Sequence, residues 1–131
     1  MSIPQLQAAA LTALAERYFA AVDRKDLAAT LACFAPAARF TIATYSTVYE
    51  GRDTAIAGML ERLNERYAQV WHGDFDHVTD VPNQRIASRF RVENITHEGQ
   101  KLLKNNCNFF SVEGGLFAAV FVYMSGDNSL G

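Results

Sequence analysis

An α+β domain, with helices gathered on one face of a curled antiparallel sheet, is the fold class this sequence predicts, and three observations carry the prediction. Helical periodicity is confined to the first half of the chain. Beyond residue 70 the chain breaks into four long runs rich in β-forming residues. The breaks between those runs are short turn signals with no room for a crossover helix, so consecutive strands must pair antiparallel.

The elements follow in order. Ser2 with Gln5 three residues on forms a capping box, and Leu11, Leu14, Ala15, Tyr18, Phe19 and Val22 then recur on one side of a helix that should lie against the sheet. The Asp23-Arg24-Lys25-Asp26 cluster ends that helix and reads as a solvated corner. Residues 27–34 give a shorter helix, stopped before Pro36 because proline disfavours a helical predecessor. Residues 39–44 alternate as a strand, and Tyr45-Ser46-Thr47-Val48-Tyr49-Glu50 is a polar and aromatic connection to Gly51. The next helix buries Ile56, Met59, Leu60, Leu63 and Tyr67 and turns Arg52, Glu61, Arg62 and Glu65 outward.

Four strands complete the chain, at residues 71–81, 85–96, 101–112 and 116–124. Pro82-Asn83, Glu98-Gly99 and Glu113-Gly114-Gly115 separate them, which makes an antiparallel meander. Such long strands are too extended for the helices to cover flat. The sheet therefore curls around the first helix and leaves a cone, whose open end is the natural ligand site.

The 131 residues are read as one domain spanning 1–131, without repeats or linkers, large enough to bury a core without a metal or disulfide. Half the residues are hydrophobic and the formal net charge is −2, a balance that excludes disorder and a nucleic-acid partner. Met1-Ser2-Ile3-Pro4-Gln5 lacks the basic flank and apolar run of a signal peptide, and no stretch approaches the roughly twenty apolar residues of a membrane span. Cys33 and Cys107 form no Cys-x-x-Cys pair, which points to reduced thiols in a cytoplasmic protein.

Three groups of residues resemble a known family. Arg17-Tyr18-Phe19-Ala20-Ala21-Val22 with Asp26-Leu27, then Cys33-Phe34-Ala35-Pro36-Ala37-Ala38, then Tyr49-Glu50-Gly51-Arg52-Asp53, are similar to the amino-terminal half of the nuclear-transport-factor-2-like superfamily. Thr96-His97-Glu98-Gly99 resembles a turn of the SnoaL-like group within it. The resemblance implies a cystatin-like cone, a fold that hosts isomerases, cyclases, dehydratases, epoxide hydrolases and inert partners, so it specifies architecture more tightly than reaction.

Carried over residue by residue, the resemblance to ketosteroid isomerase puts Tyr18 on the oxyanion-binding tyrosine and Asn108 on the second oxyanion donor, while Ile42 replaces the general-base aspartate. Arg91-Val92-Glu93 resembles the Arg-x-Asp segment of limonene epoxide hydrolase, but Val122 stands where the second carboxylate would be, and residues 117–124 contain no acid for a cyclase. Strand alternation alone sends Arg89, Arg91 and Glu93 to solvent. The register implied by the resemblance turns Arg91 and Glu93 into the cavity as a pair, and that assignment is adopted.

These residues imply a cofactor-independent enzyme in which Tyr18 and Asn108 polarise a carbonyl-containing or polycyclic apolar compound and Glu93 or His72 moves a proton. Tyr45 and Tyr49 would stand at the cone mouth, with Met59, Leu63, Trp71 and Phe110 in its walls and Arg91 as an anchor. His72, Asp74 and Asp76 share a strand face that His77 does not, which argues for a solvated strand rather than a metal site. His97 is structural. Phe117, Phe121, Tyr123 and Phe109 would supply an apolar outer sheet face for a homodimer. The missing acids leave a second reading open, a non-catalytic binding or dimerisation domain of the same fold.

Overall fold

The computed structural model describes residues 5–131. The first helix, α1, runs Ala8–Asp23 and buries Leu11, Leu14, Ala15, Tyr18, Phe19 and Val22, the stripe its 3.6-residue period requires. The Ser2 cap lies outside the described residues, and Gln7 at the helix start makes no side-chain cap. The entry is tied down instead by Gln84 of a distant turn, which accepts from Leu6 N and donates to Leu6 O, both at 2.9 Å.

At the other end Lys25 adopts φ 56°, Lys25 N bonds Val22 O and Asp26 N bonds Ala21 O, the paired closure of a Schellman turn. Lys25 Nζ then donates to Asn64 O at 2.8 Å and Tyr67 O at 2.6 Å, satisfying carbonyls left open at the end of another helix. Helix α2, Leu27–Leu31, is capped by Asp26, whose carboxylate accepts from Ala29 N. It is shorter than residues 27–34. Phe34 leaves it to pair with Phe117, and Cys33 O accepts from Phe117 N, so a long-range sheet contact overrides the local helical preference.

Strand β1 spans Phe34–Ile42 and β2 spans Thr47–Glu50, so the expected connection is in part a short edge strand. Pro36 falls where the β1 register is irregular, between Phe34 and Arg39, and its missing N–H breaks no ladder there. A π-helical turn, Gly51–Ile56, leads into α3, Ala57–Arg66, which buries Met59, Leu60 and Leu63. Strands β3 (Gln69–Asp80), β4 (Arg85–Ile95), β5 (Lys101–Glu113) and β6 (Leu116–Met124) form the antiparallel meander. The order is β2-β1-β6-β5-β4-β3, with β1 parallel to β6, giving an open curled sheet around α1. No helix among the described residues is long and apolar enough to cross a membrane.

Alternation decides which side chains enter the cone. On β4 the inward set is Ile86, Ser88, Phe90, Val92 and Asn94, and on β5 it is Lys104, Asn106, Asn108, Phe110 and Val112. Arg91 and Glu93 therefore point outward, correcting their assignment to the cavity: Val92 between them faces in, and period two leaves no alternative. Arg91 pairs with Asp74 at 3.2 Å, in line with Arg89–Asp76 and Arg85–Asp80 on the exposed face. Exposed pairs of this kind add little to stability, because water and salt screen them.

Strand β3 carries a bulge between Gly73 and Asp76, with Asp74 at φ 54°. The extra residue changes the parity of the strand. His72 faces inward while Asp74 and Asp76 face outward, so the three do not share a face as the unbroken alternation implies. Trp71 lies outside the cone as well, its ring covering Gly73 so closely that a Cβ there would come within 2.1 Å of it. Gly73→Ala should drive the ring into water at a cost of about 1–3 kcal/mol. Because Trp71 is the only tryptophan, a red-shifted emission maximum together with a lower urea midpoint checks this.

Candidate active site

The end of α1 and the inward part of β3 meet at the wall of the cone. Asp23, the last residue of α1, turns in from the charge cluster rather than out into water, which with the bonded Lys25 corrects the solvated-corner reading for two of the four residues. One carboxylate oxygen accepts from the His72 backbone N–H at 3.0 Å, and the other lies 2.6 Å from His72 Nδ1. The side chains are only 12% and 22% exposed, so the contact is sheltered from screening. Phe19 and Phe90 hold the imidazole, with ring centroids at 5.1 and 5.6 Å. With Nδ1 turned to Asp23, Nε2 is left on the opposite edge of a ring that lines the cavity.

Tyr18 lines the same cavity from α1, about one and a half helical turns before its end. Its ring stands edge-on to Phe34, Phe110 and Phe117 at 5.6, 5.9 and 5.7 Å, an arrangement favoured by the aromatic quadrupole. Burial pushes the phenol pKa well up, with Cys33 and the Asp23 carboxylate adding to it, so the hydroxyl keeps its proton. A folded-state pKa raised above the unfolded value of about 10 gives stability that is complete below pH 10 and lost as pH rises beyond it. Tyr18→Phe should flatten that alkaline loss, measured as urea midpoints between pH 8 and 11.

Asn108 reaches in from β5 and Asn94 from β4, and the side-chain oxygen of each is buried without a hydrogen-bond partner. Leaving such an atom unsatisfied costs roughly 1–3 kcal/mol, so both mark places where a water or ligand belongs. The space left between these side chains is small, about 30 Å³, and partly open to solvent. Residues 125–131 run past it, with Ser129 and Leu130 in its lining and Asn106 accepting from Ser125 N at 3.3 Å.

Leu63 also lines this space, whereas Met59 and Phe110 are packed in the core behind it. Tyr45 and Tyr49 stand near the mouth but hold the closing segment, bonding Gly126 O and, at 3.2 Å, Leu130 O. Trp71, Arg91 and Glu93 are outside. His77 bonds Ser88 and Glu16, tying β3 and β4 to α1, and His97 bonds Glu65 O at the end of α3. Among the described residues no group of three metal-ligating side chains is assembled. Asp23, Asn94 and the closing segment are the parts that sequence reasoning misses. Asp23 and His72 lie 49 residues apart, and nothing local announces their contact.

Ile42 and Val122, at the positions where the resemblance would have put acids, are both buried. Comparison with known proteins gives this architecture its context. The model of the SnoaL-like domain family matches residues 15–120. A proposed polyketide cyclase from Xanthomonas campestris pv. campestris superposes with a TM-score of 0.80 at 24% identity, over 88% of this chain and 90% of that one. A protein with a cystatin-like fold from Methylobium petroleophilum PM1 has a TM-score of 0.75 at 19% identity, over 95% and 82% of the two chains. A protein of ketosteroid isomerase-like fold from Catenulispora acidiphila DSM 44928, in complex with trimethylamine, has a TM-score of 0.74 at 12% identity, over 84% and 83%. At these identities the likeness is one of fold. No curated protein matches the sequence.

Proposed function

The chain belongs to the SnoaL-like domain family, and from that premise we propose that it is a cofactor-independent acid–base enzyme acting on a small, largely apolar carbonyl compound held in the cone. The observation that carries the reading is the 2.6 Å contact between His72 Nδ1 and Asp23. An imidazole oriented by a carboxylate on one nitrogen presents the other as a base, and Nε2 belongs to a ring that lines the cavity.

In this mechanism Nε2 takes the proton from the carbon beside the substrate carbonyl. The electron pair moves onto the carbonyl oxygen, and the charge developing there is met by hydrogen bonds from Tyr18 and from the Asn108 amide, which presents its NH2 after a half-turn. Returning the proton to another carbon isomerises the substrate. Expelling a β-hydroxyl as water, with the proton delivered from Nε2, dehydrates it, and attack of the enolate carbon on a second carbonyl, whose oxygen takes that proton, closes a ring. Glu93 has no part in these steps, because it lies on the outer face.

The test is deuterium uptake at the α-carbon of 1-tetralone, followed by NMR in D2O. Uptake well above the buffer rate, lowered at least tenfold by Tyr18→Phe, is the expected result. Uptake at the buffer rate would remove the reading for this class of ketone. The second reading, a ligand-binding domain without chemistry, is favoured by Ile42 and Val122 standing in place of acids.

Two further features belong to the proposal. Phe109, Phe121 and Tyr123 are 50%, 40% and 49% exposed on the outer sheet face, which suits a homodimer formed there, and sedimentation at twice the 14.5 kDa chain mass tests it. Phe117 takes no part in that face, since it is wholly buried on the inner one. The free thiols of Cys33 and Cys107 support a reducing, cytoplasmic setting.

A further inference from the structure

Lys104 is the one lysine on the inner face of the sheet, 6% exposed, directly opposite the cavity-lining Val92. A buried ammonium must be supplied with acceptors. Here they are backbone oxygens of the closing segment, Ser125 O at 2.7 Å and Asp127 O. Burial pushes the lysine pKa down, and the Asp127 carboxylate pulls against it.

The segment that supplies those oxygens is fastened in an unusual way. Strand β6 ends at Met124, and beyond Ser125 the bonds to the body of the domain are made by side-chain donors reaching main-chain oxygens. Tyr45 holds Gly126 O, Arg66 holds Ser129 O at 2.6 Å and also Gly131 O, and Tyr49 holds Leu130 O. Lifting residues 126–131 therefore breaks no ladder of the sheet, which puts the segment at the low-stability end of the domain. The cavity of about 30 Å³ has room for water alone, and Ser129 and Leu130 line it, so moving the segment is the way to make room there for a larger ligand.

We propose that Lys104 is the anchor for a carboxylate on the ligand, and that the carbonyl oxygen of Asp127 occupies that carboxylate's place until the ligand displaces residues 126–131, while Ser125 O stays on the ammonium. The proposal rests on the cone being a small-molecule site and adds the ligand's acidic end. Lys104 and Asn108 are four residues apart on one strand face, about 14 Å at 3.4 Å per residue. The ligand is thus an elongated, mostly apolar acid, its carboxylate at the mouth and its other end beside Tyr18.

Calorimetric titration with biphenyl-4-carboxylate and with its neutral amide, biphenyl-4-carboxamide, tests this on the full chain. The wild type should bind the carboxylate at least tenfold more tightly than the amide. Lys104→Gln should erase that preference, Lys104→Arg should keep it, and Tyr45→Phe, which frees Gly126, should tighten carboxylate binding. The amides of Gly126, Ser129 and Leu130 should shift in the NMR spectrum of the wild type on adding the carboxylate, a readout that does not depend on the variants folding. Equal binding of the two compounds, a preference that survives Lys104→Gln, unmoved amides, or no binding of the carboxylate at millimolar concentration would each overturn the proposal. None of these results bears on His72, whose reading fails separately through deuterium uptake.

Discussion

Replacing His72 with glutamine is expected to lower deuterium uptake by about 10²–10⁴-fold, the usual worth of a positioned general base. Glutamine keeps a side-chain amide of similar reach but has no nitrogen that can take a proton. Asp23→Asn is expected to cost at least about 10²-fold by another route. The asparagine can still accept from the His72 backbone N–H, so the local fold is retained. Its amide no longer selects the Nδ1–H form of the imidazole, and without the carboxylate the cation formed during proton transfer is less stabilised. A merely structural Asp23 would give a loss of stability with the pH profile unchanged. The positioning role instead predicts an altered pH profile at nearly constant urea midpoint. Full activity in either variant would remove the pair from the mechanism.

Phe117→Ala is expected to destabilise the domain by about 3–5 kcal/mol, which is much of the roughly 5–15 kcal/mol that holds a domain of ordinary stability together. The Phe117 ring is wholly buried, 4.4 Å from Phe110, 5.5 Å from Phe34 and 5.7 Å from Tyr18 by ring centroids. Removing it takes away a transfer contribution and leaves a void, because three aromatic rings anchored on different elements cannot all collapse into the space. The effect reaches the site, since Tyr18 loses a wall and with it part of the constraint on its hydroxyl. Equilibrium urea unfolding measures the loss. A change below 1 kcal/mol would mean that the aromatic cluster is not the keystone of the core that its burial implies.

Fold and site were legible in the sequence to different degrees, for physical reasons. The α1 stripe could be read because helical period and burial are the same statement for a helix lying on a sheet. The meander could be read because long β-rich runs with short turns leave little else to do. Phe34 was misplaced in a helix because what moves it to β1 is pairing with Phe117, a contact with no local trace. β2 was missed because a four-residue edge strand with half-exposed side chains carries almost no hydrophobic pattern.

The site was harder, because it depends on which way individual side chains turn. Arg91 and Glu93 follow strand alternation, and the borrowed register that placed them in the cavity loses to it. His72 stands out in the sequence as a candidate, but its separation from Asp74 and Asp76 comes from a bulge at Gly73–Asp76 that the residues Gly-Asp-Phe-Asp do not signal. Asp23 was hidden within a cluster of charges that looks uniformly solvated. The cluster is in fact divided: Asp23 orients an imidazole and Lys25 closes the end of α3, while Arg24 and Asp26 keep exposed side chains, Asp26 capping α2 from there.

In the proposed mechanism Asp23 fixes His72 so that Nε2 offers its lone pair to the cavity. A long-range 1H–15N correlation spectrum of the imidazoles tests it most directly, because it reports which nitrogen carries the proton in the neutral ring. Neutral His72 is expected to carry its proton on Nδ1 in the wild type and to lose that preference in Asp23→Asn. A wild-type imidazole with its proton on Nε2 would contradict it, for such a ring turns a donor, not a base, toward the substrate.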